Sequence, residues 1–248
     1  MELNCSTLVG SCSSVRARLE RLACLVPCCI LALMFIYQPD KASISAFIGS
    51  VAAGLSGKVL DVGAGDGNRY RHFFDHCQYI TLDCQAGLNP DIVAFADHIP
   101  LPDASVDNIL CIETFVKLFN MDDVAREFAR VLKPGGRLVA TASFLSAFCG
   151  DAIDYWRFTP NSIHKLFDPY FETTCVWRGG FFQHMLQDSI KFVSIQFNLY
   201  NHRYAGTIVS IIAAQLGKLA VHLDGKKPSQ FAMGCNIVAR KRGTQVSQ

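Results

Sequence analysis

The run Val59-Leu60-Asp61-Val62-Gly63-Ala64-Gly65-Asp66-Gly67 constrains this chain most, because a mainly apolar stretch breaks there into alternating glycines ahead of a helix-compatible segment. That pattern predicts a strand-to-helix turn. Glycine has no Cβ, so the backbone can take φ > 0 and a ligand can lie directly on it, while a following helix aims its free N–H groups at the same place. A tight loop without a ligand is the alternative at this point.

From Lys58 onward short apolar runs alternate with helical segments, the mark of βαβ units around a parallel sheet. The predicted strands, in order, are Val59 to Val62, Tyr79 to Asp83, Asp91 to Ala94, Val106 to Ile112, Arg137 to Ala142, Phe171 to Trp177 and Cys235 to Arg240. Between the fourth and fifth, Met121 to Leu132 places Val124, Phe128, Val131 and Leu132 on one helical face. Lys133-Pro134-Gly135-Gly136 then closes that helix. A chain of 248 residues suits one large domain with additions. The formal charge of +2, with no long run of lysine or arginine, excludes an evident nucleic-acid face. Eleven cysteines, odd in number and without a Cys-x-x-Cys pair, support neither a disulfide framework nor a zinc site. No metal is expected.

Near the start, Arg16, Arg18 and Arg21 precede an apolar run from Leu22 to Tyr37 that Pro27 interrupts. It is short for a membrane span, which needs about 18 to 20 apolar residues. A buried or interfacial helix is preferred to an anchor or signal sequence. Residues Met1 to about Ser14 read as disordered. The expected division is an N-terminal extension with an apolar helix over 1–45, followed by a domain over 46–248.

Acidic residues fall where a nucleoside needs them. Asp83 ends the second strand sixteen positions after Gly67, where a carboxylate can accept both ribose hydroxyls at the carboxyl ends of the strands. Asp97, after the third strand, can accept from an adenine amino group while the backbone of His98 reads the neighbouring ring nitrogen. A helix cap at Asp83 and a turn at Asp97 are the plainer alternatives.

With these residues in order, the chain resembles the class I S-adenosylmethionine-dependent methyltransferases over roughly Leu55 to Ala142, with further support at Asn236 to Lys241. The resemblance implies an α/β fold, a Rossmann-like seven-stranded sheet with helices on both faces. By it, Val59 to Gly67 is the first motif, Asp83 the ribose acid, Asp97 the adenine-contacting acid, and Asp61 lies close to the methionine ammonium. The implied cofactor set is Asp61, Gly63, Ala64, Gly65, Asp83, Cys84, Asp97, His98 and Cys111, holding S-adenosyl-L-methionine. Asp154-Tyr155-Trp156-Arg157-Phe158-Thr159 is similar to a block in bacterial methyltransferases of glycan or natural-product pathways. Two departures stand out: Val116-Lys117 where many relatives carry Glu-His, and Cys149 where a histidine often precedes the Asp-Tyr-Trp-Arg block. A cytoplasmic enzyme is implied, since the cofactor is made and held there, with membrane association as an alternative.

An NAD(P)-dependent Rossmann oxidoreductase shares the glycine turn and the second-strand acid. Its fingerprint, however, is Gly-x-Gly-x-x-Gly, and here the third glycine is Gly67, one place early, with Asn68 at the fingerprint position. The implied chemistry is in-line displacement at the sulfonium methyl, in which the enzyme aligns the acceptor and excludes water. For an oxygen acceptor the candidate bases are Asp151, Asp154 and His184, with Asp154 and His184 put forward as catalytic. An Asp154–Arg157 pair and a merely packed His184 are the alternatives.

Between the sixth and seventh strands lies a strongly apolar excursion over 178–234. Leu186, Ile190, Val193 and Phe197 line one helical face, and Ile208, Ile211, Ile212, Leu216 and Leu219 form a second stripe before Asp224-Gly225-Lys226-Lys227-Pro228. Core packing is the expectation for that stripe; a lid, a dimer face or a membrane-surface contact are the alternatives. Two functions follow: a methyltransferase acting on a small-molecule, glycan or lipid-linked acceptor, or a catalytically silent cofactor-binding scaffold.

Overall fold

Seven strands form one sheet in the order β3-β2-β1-β4-β5-β7-β6. They are β1 Lys58–Val62, β2 Gln78–Asp83, β3 Ile92–Val93, β4 Val106–Cys111, β5 Leu132–Ser143, β6 Phe171–Arg178 and β7 Gly234–Lys241. The computed structural model describes residues 37–67, 69–148, 153–199, 203–225 and 230–243. The N-terminal residues up to 36, with most of the apolar run, and Asn68, Cys149, Asp151 and Lys226-Lys227-Pro228 lie outside them.

The centre of the sheet is set by composition. β1 and β4 are buried along almost their whole length, and their apolar residues serve both faces of the sheet. Alternate residues then point to opposite layers. Leu60 and Ile109 join one core with Val124 and Phe128 of helix α2, Met121–Val131. Val59 and Leu110 join the other with Ile44 and Ile48 of helix α1, Pro39–Ala52. β6, by contrast, alternates buried and exposed positions, as the edge strand of a sheet does. β1 to β5 run parallel, while β7 is antiparallel to both β5 and β6. Helix α3, Pro160–Phe167, starts at Thr159, whose side chain accepts from the Ser162 N–H in a reciprocal capping box.

Three expectations need correction. The glycine turn does not open an α-helix: between β1 and β2 the structure has turns and a short 3₁₀ segment, Arg71–Phe73. Three left-handed glycines occupy the start of this connection, and buried Tyr70 and Phe74 pin the rest to the core. The Lys-Pro-Gly-Gly stop is not a gap before β5. That strand begins at Leu132, paired with Val106, and crosses an irregularity before the ladder resumes at Arg137 opposite Asn108. The third strand shrinks to Ile92–Val93.

The excursion after β6 is a helical pair, α4 Phe181–Gln196 and α5 Arg203–Asp224. Asp224, at the end of α5, accepts from the N–H groups of Phe182 and Gln183 at 2.8 and 3.0 Å, so the C-terminus of one helix caps the N-terminus of the other. The pair is therefore an antiparallel hairpin. Its apolar stripe is not core: Ile208, Ile211 and Ile212 are 55–60% exposed. Small residues take the inward positions instead.

Arg178, at the base of this hairpin, is 1% exposed in its side chain. Its guanidinium donates to Asp40 Oδ1 of α1 at 2.7 Å, to the Cys235 carbonyl at 3.2 Å and to Asn236 Oδ1 at 3.1 Å. One buried cation thus ties α1, β6 and β7 together. Arg178→Met is expected to lower the unfolding free energy by about 3 kcal/mol in urea titrations, the order seen when a buried pair is broken. A loss under about 0.5 kcal/mol would rank this pair with exposed ones.

Candidate functional site

The carboxyl ends of β1 to β4 share one edge of the sheet, and the candidate residues gather there. Beyond Val62 the chain is bent by Gly63, Gly65 and Gly67, with φ of 73°, 60° and 68°. The Leu82 carbonyl holds the bend by accepting from Gly63 and Ala64 N–H at 2.8 and 3.2 Å. A Cβ on Gly63 would lie 2.4 Å from Thr114 Oγ1, whereas one on Gly65 would meet nothing within 4 Å. Gly63 is locked; Gly65 faces open space.

Asp83 meets this turn. Its Oδ2 accepts from Gly65 N–H at 3.0 Å and its Oδ1 from Gln85 N–H at 2.9 Å, in a residue only 8% exposed. The backbone thereby fixes the carboxylate at the rim. Asp83 also stands opposite Val93 in the β2–β3 ladder, which brings the segment after β3 to the same edge. Asp97 and His98 are exposed there. The His98 N–H donates to Phe95 O at 3.1 Å, so the turn itself takes the donor that the sequence reserves for a base.

Asp61 lies deeper, 4% exposed, with the Tyr79 hydroxyl donating to Oδ2 at 2.5 Å. Burial pushes its carboxyl up to about 7 and the nearby Asp83 charge adds to that, while the Tyr79 hydrogen bond and Arg71 oppose it. Cys111 is wholly buried in the core, its thiol raised by burial and then by Asp61. Its side chain therefore packs the sheet rather than lining an open cleft. Cys84 is exposed beside Asp83, its thiol pushed up by partial burial and by that charge.

Several participants were not legible in the sequence. Thr114 locks Gly63 from across β4, with its hydroxyl 3.0 Å from the Ile112 carbonyl. Glu113 follows β4 in a left-handed conformation, φ 55°, which few non-glycine residues adopt. Its carboxylate pairs with Arg69 at 3.3 Å and its N–H donates to Thr141 Oγ1 at 2.9 Å. Lys41 of α1 reaches the same neighbourhood; burial lowers its amine while Glu113 opposes the shift. Tyr70, between them, has its phenol pushed up to about 12 by burial and Glu113. The only sequence signal for these is position, since each sits just past a strand end or at a helix start.

The two proposed bases have separate partners. Asp154 forms an ion pair with Arg157 three residues on, and its side chain is 1% exposed. His184, on the first turn of α4, has Nε2 3.7 Å from Asp188 and a buried Nδ1 without a hydrogen-bond partner among the described residues. Around Asp154 the segment after β5 zips onto the segment after β4. Tyr155 N–H donates to Val116 O at 2.7 Å, the Trp156 indole donates to Leu118 O at 2.7 Å, and Phe119 packs edge-on against Tyr155. Val116 is buried and Lys117 lies near Cys84, so the pair that replaces Glu-His splits between core and rim. A concavity of about 440 Å³ lies elsewhere, over β5, β7 and β6 beside Arg137, Glu172 and Arg240, and has no contact with the turn. Among the described residues no cluster of His, Cys, Asp and Glu is fit to hold a metal.

Comparison with known proteins agrees with this geometry. Residues 60–140 match the family described as Methyltransferase domain. Over 46 residues the chain is 50% identical to Methyltransferase GfsG of Streptomyces halstedii, a stretch that is 18% of this chain and 16% of that protein. The fold is similar to that of the [4+2]-cyclase SpnF, with a TM-score of 0.53 and 20% identity over 81% of this chain and 80% of that one. It is also similar to phosphoethanolamine N-methyltransferase 2 of Haemonchus contortus in complex with S-adenosyl-L-methionine, with a TM-score of 0.51 and 13% identity over 76% of this chain and 49% of that one.

Two outcomes are expected. Gly63→Ala should destabilise the protein by roughly 1–3 kcal/mol, through the strained φ and the collision with Thr114, in chemical denaturation. For Asp61 the folded carboxyl titrates near 7 and the unfolded one near 3.8, so the native state binds the extra proton between those values. Stability therefore falls as pH rises through that window. Asp61→Asn should remove the fall and raise stability at pH 8 by on the order of 2 kcal/mol, measured as melting temperature against pH.

Proposed function

We propose that this chain, which matches the Methyltransferase domain family over residues 60–140, is an S-adenosylmethionine-dependent enzyme that methylates an apolar or lipid-linked small molecule, glycan carriers included. One observation carries this: a left-handed glycine turn and two carboxylates converge on a single sheet edge, beside an aromatic rim and an apolar hairpin.

The residues present fit the cofactor. The space over Gly65 admits a ligand against bare backbone. Asp83 keeps unused lone pairs on both oxygens for vicinal hydroxyls, since each oxygen has so far accepted one N–H. Asp61 is a carboxyl whose burial favours the neutral form, and an adjacent ammonium would shift it to the anion. S-adenosylmethionine supplies an activated methyl, and the acceptor must be aligned with it in the absence of water. Phe119, Tyr155 and Trp156, each at least 42% exposed, offer an apolar rim for such an acceptor.

Of the two base candidates we favour His184, because its buried Nδ1 has no partner among the described residues whereas Asp154 is paired with Arg157. That same ion pair favours a second reading, a scaffold that binds the cofactor without turnover. The cofactor's place in the cytoplasm is where we put the activity.

Purified protein incubated with S-adenosylmethionine and extracts rich in isoprenoid and other apolar metabolites should yield S-adenosylhomocysteine, read by mass spectrometry. Tight binding without product across many acceptors would favour the scaffold. Asp83→Ala should weaken cofactor binding at least about tenfold by calorimetry, since about 1.4 kcal/mol corresponds to that factor; unchanged affinity would remove Asp83 from the site. Affinity should also rise from about pH 5.5 to pH 7.5 as Asp61 ionises, with protons released on binding, and Asp61→Asn should flatten that rise.

A further inference from the structure

Helix α5 is built inside out. Toward α4 and Tyr37 it turns Gly206, Ala213, Gly217 and Ala220, and the Tyr37 ring lies so close that a Cβ on Gly217 would be 2.7 Å from it. Toward the outside it turns Tyr204 at 88%, Ile208 at 59%, Ile211 at 60% and Leu219 at 52% exposure. Helices on water-facing surfaces do the reverse. Small residues inside and large apolar residues outside is the packing of helices in hydrocarbon, where close backbone approach supplies the attraction and the outer side chains lose nothing to lipid. α4 adds Phe192, Ile195 and Phe197 near the same tip, all 64–65% exposed.

We propose that this hairpin inserts into one leaflet of an anionic phospholipid bilayer. Among the described residues, Tyr204–Asp224 is the one helix long and apolar enough to cross a membrane, with 22% of its apolar window buried. The topology argues for dipping rather than crossing, because Arg178 and Gly234, which bracket the excursion, are ladder partners in the sheet. The chain leaves and returns at one point. Lipid is favoured over a second copy by the packing of α5 and by the sequence that leads into it. Tyr37, the first described residue, is seated on α5 through its N–H to Ser210 Oγ at 2.8 Å, and the sequence arriving there is the apolar run behind Arg16, Arg18 and Arg21. Arginines that precede an apolar run in the sequence suit an anionic headgroup layer. The acid at the hairpin base, Asp224, is already engaged in capping α4.

The inference rests on the packing of the hairpin and holds whether or not the methyl transfer does. Flotation of the full chain with vesicles of phosphatidylcholine, alone and mixed with phosphatidylserine, tests it. The protein should float with both and more strongly with the mixture. Ile211→Glu with Leu219→Glu should cut the floated fraction about tenfold, and Arg16→Ala, Arg18→Ala and Arg21→Ala together should abolish the serine-lipid preference. S-adenosylmethionine affinity should stay unchanged in both variants, which separates this outcome from failure of the proposed activity. Ile211→Trp keeps the face apolar and should be quenched by brominated lipid. A protein that stays at the bottom of the gradient with both vesicles, as monomer or as dimer in light scattering, overturns the proposal, as does an unquenched tryptophan.

Discussion

The left-handed exit of the chain at Gly63 is the constraint on which the site depends. Thr114 fills the room that a side chain would need, and the Leu82 carbonyl holds the two N–H groups that follow. Because of that bend Gly65 presents its N–H to Asp83, and the ends of β1 and β2 become one rim instead of two neighbouring loops. No helix is needed to build it. The turn is shaped by strand-end contacts on both sides, from β2 below and from the segment after β4 above.

Charge at that rim is arranged in depth. Asp83 is held by two backbone donors at the rim, while Asp61 sits deeper with one phenol for company and its burial favours the neutral form. Two carboxylates this near each other are tolerable because their surroundings separate their roles. On the other wall Arg69, Glu113 and Lys41 form a group of mixed sign, positioned by the strained residue after β4 and by the start of α1. The wall therefore mixes donors with acceptors, which suits a ligand carrying both a cation and hydroxyls.

The sheet was legible in the sequence because its central strands are apolar on both faces and Val59 to Val62 and Val106 to Ile112 have no competing helical period. Helix α2 was legible for the opposite reason, its one-sided stripe and its abrupt stop. Asp83 could be named from its spacing to the glycines, and Asp61 from the family resemblance. What could not be read were partners brought from afar. Thr114 is far along the chain from Gly63, and Tyr79 lies a full strand from Asp61. Nor could periodicity tell the inner face of α5 from the outer, because a stripe of isoleucine and leucine has the same period whichever way it points. Only the small residues on the opposite side carried that information. The missing helix after the glycine turn was not legible either, because the anchoring of Tyr70 and Phe74 in the core is a tertiary contact that the local pattern does not carry.

The Arg178 guanidinium has a mechanical consequence. It grips Asp40 at the start of α1 and the first residues of β7, and it does so at the root of the hairpin. Because its three partners lie on α1 and β7 while it is itself the last residue of β6, a displacement of the hairpin root cannot be absorbed there without breaking a buried charge-assisted hydrogen bond; the root, the start of α1 and the first residues of β7 are obliged to move as one unit.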